Sequence, residues 1–215
     1  MFDNYVCLSG TCTWAKARKA KTGNWGTISA RLSLPKFHLD IGNGLQAVQN
    51  PGMWLSVKAS YQPDGTLDTR CQTLTDGLTG GCYLCIRSGR ITSYEITPRD
   101  EAGQYITGAP KETRYKLECS ARDILLAERP FPDVNLAVIQ GTVLEAQASG
   151  ELLLNVPYKS TRASGVRQVP IVTNPSTIDW RVKGAQALVL GTVCGKKPDG
   201  EEEIYVYGKT VIPIL

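Results

Sequence analysis

Residues 4–12 read NYVCLSGTC, and residues 135–143 read NLAVIQGTV. The two stretches align without a gap. Asn4 meets Asn135, Gly10 meets Gly141, Thr11 meets Thr142, and the apolar character around them is shared. Self-similarity at this separation points to an internal duplication. Outward from these stretches the order of features repeats. Val143 is followed by a hairpin into Leu152–Tyr158, a loop, a strand at Val169–Thr173, a Gly-led strand from Gly184 to Val193, and a last hairpin into Ile204–Leu215. Gly81 falls opposite Gly184, and RYKLECSARDILL (114–126) opposite EIYVYGKTVIPIL (203–215). The first copy is enlarged at 35–52 and 93–113. The segment ERPFPD (128–133), with two prolines, reads as a short stiff linker.

Both copies consist of short alternating or β-branched runs between Gly, Pro, Asn and Asp clusters, and no long stretch carries helical period. The expectation is an all-β chain of two units, 1–130 and 131–215. Strand count, Gly-marked bends and a basic connection after the first strand fit a five-stranded Greek-key barrel in each unit, the OB-fold. A small β-sandwich is the rival architecture.

Function is carried by WAKARKAKTGNWGTISARLSL, residues 14–34. Lys16, Arg18, Lys19 and Lys21 form an acid-free run, read as a loop, between Trp14 and Trp25. In the strand that follows, Ile28, Ala30, Leu32 and Leu34 face one way, and Trp25, Thr27, Ser29, Arg31 and Ser33 the other. MWLSVKAS (53–60) repeats the bias: Met53, Leu55, Val57 and Ala59 alternate with Trp54, Ser56, Lys58 and Ser60, and Tyr61 ends the run. Aromatic faces stack on bases and cations hold phosphates, so two strands with this polar face form a candidate platform for a single strand. The alternative is a solvated basic hairpin with packing tryptophans. Further candidate phosphate contacts are Arg87, Arg90, Arg114 and Lys116. In the second copy they are Lys159, Arg162 and Arg167, with Tyr205, Tyr207 and Lys209 on one face of its last strand. Tyr205 and Tyr207 could equally serve a dimer interface.

The chain has 215 residues and a net charge of +4. Residues 1–130 hold 16 Lys/Arg against 12 Asp/Glu, and 131–215 hold 8 against 8, so the whole excess lies in the first copy. A polyanion would meet that copy first. The opening MFDNYVCLSG has no signal-peptide character, and no run approaches the ~20 apolar residues of a membrane span. Seven cysteines without framework spacing suggest reduced thiols in a cytoplasmic compartment.

These features resemble the bacterial single-stranded DNA-binding protein family. NYVCLSG and NLAVIQG resemble its opening strand with a Gly turn. GNWGTISARLSLP is similar to its second strand, and RYKLECSARDILL to its last. WRVKGAQALVLGTV resembles a short helix ending in a basic residue and Gly before an apolar strand, which makes Trp180 a packing residue. The resemblance implies single-stranded DNA as partner, weak sequence preference, and a place in replication, recombination or repair. It also implies a homodimer with four barrels, two per chain. Family members usually end in an acidic tail that recruits partners. This sequence ends at VIPIL, and Glu201–Glu203 sit in a hairpin, so a phage- or mobile-element-borne relative is a further expectation.

No catalytic constellation stands out. Cys82-x-x-Cys85 and Cys7-x4-Cys12 have odd spacings that place their sulfurs on opposite faces of a strand, against a zinc site. His38 is the only histidine, beside Asp40, and no phosphate-binding Gly motif is present. The expectation is a non-enzyme without cofactor or metal. A protein-interaction or assembly module on the same barrels, and a single-stranded RNA binder, are the alternatives.

Overall fold

The computed structural model describes residues 4–34, 37–40, 45–48, 52–159, 164–174, 183–195 and 203–214. Its strands in the first copy are β1 (Asn4–Lys19), β2 (Trp25–Ser33), β3 (Phe37–Asp40), β4 (Leu45–Val48), β5 (Met53–Ser60), β6 (Tyr83–Ile96), β7 (Glu112–Ser120) and β8 (Ile124–Ala127), with helix α1 (Thr69–Thr79) between β5 and β6. The second copy supplies β9 (Asn135–Ala146), β10 (Glu151–Lys159), β11 (Ser164–Thr173), β12 (Gln186–Cys194) and β13 (Tyr205–Ile214).

Each set closes into a ring. In the first, β1 pairs with β2, β2 with β5, β5 in parallel with β7, β7 with β6, and β6 with β1. In the second, β9 pairs with β10, β10 with β11, β11 in parallel with β13, β13 with β12, and β12 with β9. Two rings of five strands with one parallel pair each are two OB barrels in tandem, and the closure excludes a sandwich. Val6, Leu8, Ile28, Leu32, Leu55, Leu84, Ile91 and Leu117 fill the first barrel, and Ile139, Leu154, Ile171, Val189 and Val206 the second.

The repeat is visible residue by residue. β1 pairs with its partner barrel over 4–8, with β6 over 6–11, and with β2 from Thr11. β9 does the same over 135–139, 137–142 and from Thr142. Asn4 Nδ2 donates to the Ile91 carbonyl at 2.7 Å, and its Oδ1 accepts from the Ile91 N–H at 3.0 Å. Asn135 clamps Val193 in the same way, at 2.9 and 2.8 Å. Gly10 and Gly141 lie so close to the next strand that a Cβ would meet the carbonyl oxygens of Ser33 and Asn155, at 2.7 and 2.6 Å. The shared Asn and Gly therefore each have a structural reason.

The two barrels join through β1 and β9, antiparallel, with Asn4 opposite Ile139, Val6 opposite Ala137 and Leu8 opposite Asn135. Asn4 corresponds to Asn135 and Leu8 to Ile139, so the pairing is reciprocal about a local two-fold axis. The segment 128–133 does not hang free. Ser9 Oγ donates to the Pro132 carbonyl at 2.8 Å and accepts from the Val134 N–H at 2.9 Å.

Four local expectations are corrected. The basic run read as a loop is mostly strand, since β1 extends to Lys19 and only the turn from Ala20 to Asn24 separates it from β2. The segment 35–51, whose Gly42, Gly44 and Pro51 are breakers that predict an irregular stretch, contains the antiparallel pair β3–β4. The last strand of the first copy breaks at Ser120, and a 3-10 turn (Ala121–Asp123) leads to β8, which pairs with β6. Helix α1 escaped the periodicity because it is short. Its signals were present: Asp68 caps it by accepting from the Cys71 N–H at 2.9 Å, Cys71, Leu74 and Leu78 are buried at helical spacing, and Gly80-Gly81 ends it. Trp180 lies outside the described residues.

The two clamps give a direct check on the duplication. Asn4→Ala and Asn135→Ala each leave a strand N–H and carbonyl without their partner, and each should cost about 1–3 kcal/mol. Urea unfolding should register both losses with the slope unchanged. A loss at one position only would mean that the two asparagines are not equivalent.

Candidate nucleic-acid interface

The polar face of the first barrel is built from β1, β2, β5, β7 and β6. A bulge between Cys12 and Trp14 shifts the β1–β2 register. Before it, Val6, Leu8 and Cys12 point inward; after it, Ala15 and Ala17 pack on the core. The parity of alternation flips there, as a bulge requires. Trp14, Lys16 and Arg18 are thus exposed on the same strand whose early residues fill the barrel. β2 and β5 alternate as their sequences predict, with Ile28, Ala30, Leu32, Met53, Leu55, Val57 and Ala59 buried.

Cross-strand register brings the aromatic and cationic residues together. Trp14 lies opposite Arg31 on β2, and Arg31 opposite Trp54 on β5. The Trp14 and Trp54 rings meet edge to face, centroids 5.6 Å apart at 88°. The Arg31 guanidinium lies 5.7 Å from the Trp54 ring centre. All three tryptophans remain exposed: Trp14 by 42%, Trp25 by 60% and Trp54 by 48%. Rings of this size left half in water on one barrel face are open to a flat partner.

Two open grooves meet at this cluster. One is lined by Arg18, Lys19, Trp25, Trp54, Tyr94 and Lys116. The other is lined by Arg31, Trp54, Tyr94, Arg114, Tyr115 and Glu203. Trp54 and Tyr94 belong to both, so the track is continuous. Lys116 Nζ lies 5.6 Å from the Tyr94 ring centre and donates to Ser56 Oγ at 3.3 Å. Lys19 lies 5.7 Å from the Tyr61 ring centre, at the hairpin end of the track.

One carboxylate sits among these cations. Glu118, on β7 opposite Ser56 and Arg90, accepts from Arg90 at 2.6 Å, with Lys58 at 3.4 Å and Lys116 at 3.8 Å. Burial pushes its pKa up, but the hydrogen bond and charge of Arg90, with Lys58 and Lys116, outweigh this and hold the carboxyl below its usual range.

The other expected residues divide. Lys16, Lys21 and Lys58 are exposed on the same barrel, Lys58 in the Glu118 cluster. Arg87 donates to the Arg122 carbonyl at 2.7 Å and lines neither groove. Lys159 is exposed at the end of β10, and Arg167 stacks 4.4 Å from the Tyr158 ring centre; both belong to the second barrel and line neither groove. Arg162 lies outside the described residues. Tyr205 and Tyr207 are corrected: with exposures of 0% and 6% they pack with Cys194 and Val172 and present no ring to a base or to a second chain. Alternation had put them outward correctly, but on this barrel the outward side is covered there. Tyr94 and Glu118 were missed. Tyr94 shares one face of β6 with Thr92 and Arg90, which was a readable signal; the role of Glu118 depends on three strands at once.

The cysteines are all free, and burial pushes the Cys119 and Cys194 thiols up to about 12, far from thiolate chemistry at neutral pH. Among the described residues no three His, Cys, Asp or Glu side chains come together as a metal site, and no helix is long and apolar enough to cross a membrane.

No family model matches the sequence, and no curated protein matches it by sequence. The structure does match solved ones. The wild-type single-stranded DNA-binding protein from Thermus aquaticus superposes with a TM-score of 0.62 at 15% identity, over 99% of this chain and 93% of that one. A deletion mutant of the same protein gives 0.62 and 15%, over 99% and 94%. Both barrels and their tandem arrangement are thus shared, and the chain has the fold of a single-stranded DNA-binding protein.

Glu118 sets a pH-dependent stability. Its folded pKa lies below the ordinary 4.5, so its contribution is present above that value and lost as pH falls through the folded pKa. Glu118→Gln should cost about 1–3 kcal/mol at pH 7 and should flatten the fall of stability with acid below 4.5. Thermal melts of both proteins across this range test it, and equal acid slopes would assign the effect elsewhere.

Proposed function

We propose that this protein binds single-stranded DNA with little sequence preference. Bases stack on Trp14, Trp25, Trp54 and Tyr94, and phosphates run along Arg18, Lys19, Arg31, Arg114 and Lys116. Lys16 and Lys21 add positive charge beside the track. The observation that carries this reading is the Trp14–Arg31–Trp54 cluster, three side chains from three strands held face-out at the junction of two cation-lined grooves. Stacking accepts any base because every base has a π-face. The shared fold and the excess positive charge of the first copy support the same reading.

The role is binding rather than catalysis, in replication, recombination or repair, within a cytoplasmic compartment. Residues 1–130 and 131–215 act as its two units, and a homodimer assembles four barrels. The support for the dimer is the tandem arrangement together with the family resemblance of the sequence.

A Trp fluorescence titration with oligo-dT at several salt concentrations tests the assignment. Strong quenching is expected, with a log–log salt slope of about −0.7 per phosphate neutralised. Trp54→Ala should remove about 1–3 kcal/mol of binding, roughly 5- to 150-fold in affinity. Unchanged affinity and quenching in that variant would end the platform assignment. Tighter binding of oligo-rU than of oligo-dT would redirect the reading to RNA.

A further inference from the structure

Strand register gives several of the platform residues an equivalent in the second barrel. Thr11 pairs with Ser33 and Thr142 with Asn155, which fixes β2 against β10; Leu55 pairs with Leu117 and Ile171 with Val206, which fixes β7 against β13. On this basis Trp14 corresponds to Glu145, Arg31 to Leu153, and Trp54 to Pro170. Ser29 corresponds to Glu151, Lys116 to Tyr205, and Glu118 to Tyr207. The clamps confirm the frame independently, because Ile91 and Val193 are equivalent by register and are held by the equivalent Asn4 and Asn135.

None of these replacements keeps the chemistry of the platform. The tryptophans become a carboxylate and a proline. The cations become an aliphatic residue and a buried tyrosine. The groove itself continues: Tyr115 and Glu203 end the second groove of the first barrel and also line a depression on the second barrel, with Glu145, Glu151, Leu153, Pro170 and Val172. Among the described residues, that depression has three glutamates and no Lys or Arg in its lining. A phosphate moving along the track passes from arginines and lysines to the carboxylates of Glu203, Glu145 and Glu151. The first barrel also occupies part of this side. β13 pairs with β11 only over Ile171–Thr173, and nearer the start of β11 the Gln168 N–H donates to Ser93 Oγ of β6 at 3.4 Å.

We infer that each chain holds single-stranded DNA on its first barrel alone. The equivalent face of the second barrel is an acidic and apolar stop that ends the bound strand at Glu203, Glu145 and Glu151. This rests on the single-strand-binding reading above. Its consequence is an occluded length per chain of one barrel's site, about 4–16 nucleotides, and not two.

Crosslinking of the full-length protein to oligo-dT carrying 5-iodouracil, followed by peptide mapping, tests the inference. Adducts are expected at Trp14, Trp25, Trp54 or Tyr94, and adducts in residues 145–172 would overturn it. The double variant Arg31→Ala/Trp54→Ala, which leaves the second barrel untouched, should lose at least tenfold in affinity for long oligo-dT. A smaller loss, with adducts of that variant mapping to residues 145–172, would show that the second barrel binds and would also overturn it. Failure of the unaltered protein to bind oligo-dT at all would remove the parent reading itself, which distinguishes the two failures.

Discussion

The pairing of β1 with β9 is the contact on which the rest of the molecule depends. Each strand is shared among three neighbours: the other barrel at its start, the fourth strand of its own barrel in the middle, and the second strand of its own barrel at its end. One strand in each copy thus serves both closure of its own barrel and association with the other. Val6 and Ala137, at the centre of the pairing, are both fully buried, so the joint is continuous with the two cores.

That joint also decides the inequality of the two faces. A local two-fold axis would give two equivalent surfaces if the copies had remained equal. They have diverged at the outward positions, while the inward positions and the backbone constraints persist. Asn4 and Asn135, or Gly10 and Gly141, cannot change without breaking a clamp or pushing a neighbouring strand. Outward positions such as Trp54 and Pro170 carry no such constraint, and chemistry is free to differ there.

Within the first barrel, the bulge after Cys12 connects fold to site. It transfers β1 from one parity to the other and so delivers Trp14 edge-on to Trp54. Glu118 then organises the opposite end of the same face by gathering Arg90, Lys58 and Lys116 around one carboxylate. A buried charge among several partners fixes side chains that would otherwise sample many rotamers, which keeps the cations in place at some cost in available charge.

The sequence by itself determined the all-β class, the duplication, the strands β2 and β5 with their two faces, and the aromatic and cationic bias of the outward one. These are legible because alternation, glycine at crowded positions and repetition are local properties of the chain. It did not yield β1 as one long strand, since a bulge breaks the alternation that a reader follows. Helix α1 is too short for its period to stand out. Only the tertiary structure decided that Trp14 meets Trp54, that Tyr94 and Glu118 join the face, and that Tyr205 and Tyr207 are covered. The physical reason is register. Glu118 reaches Lys58 and Arg90 because β7 lies parallel to β5 and antiparallel to β6 at one particular offset, and an offset between strands distant in sequence is fixed by ring closure, not by either strand alone.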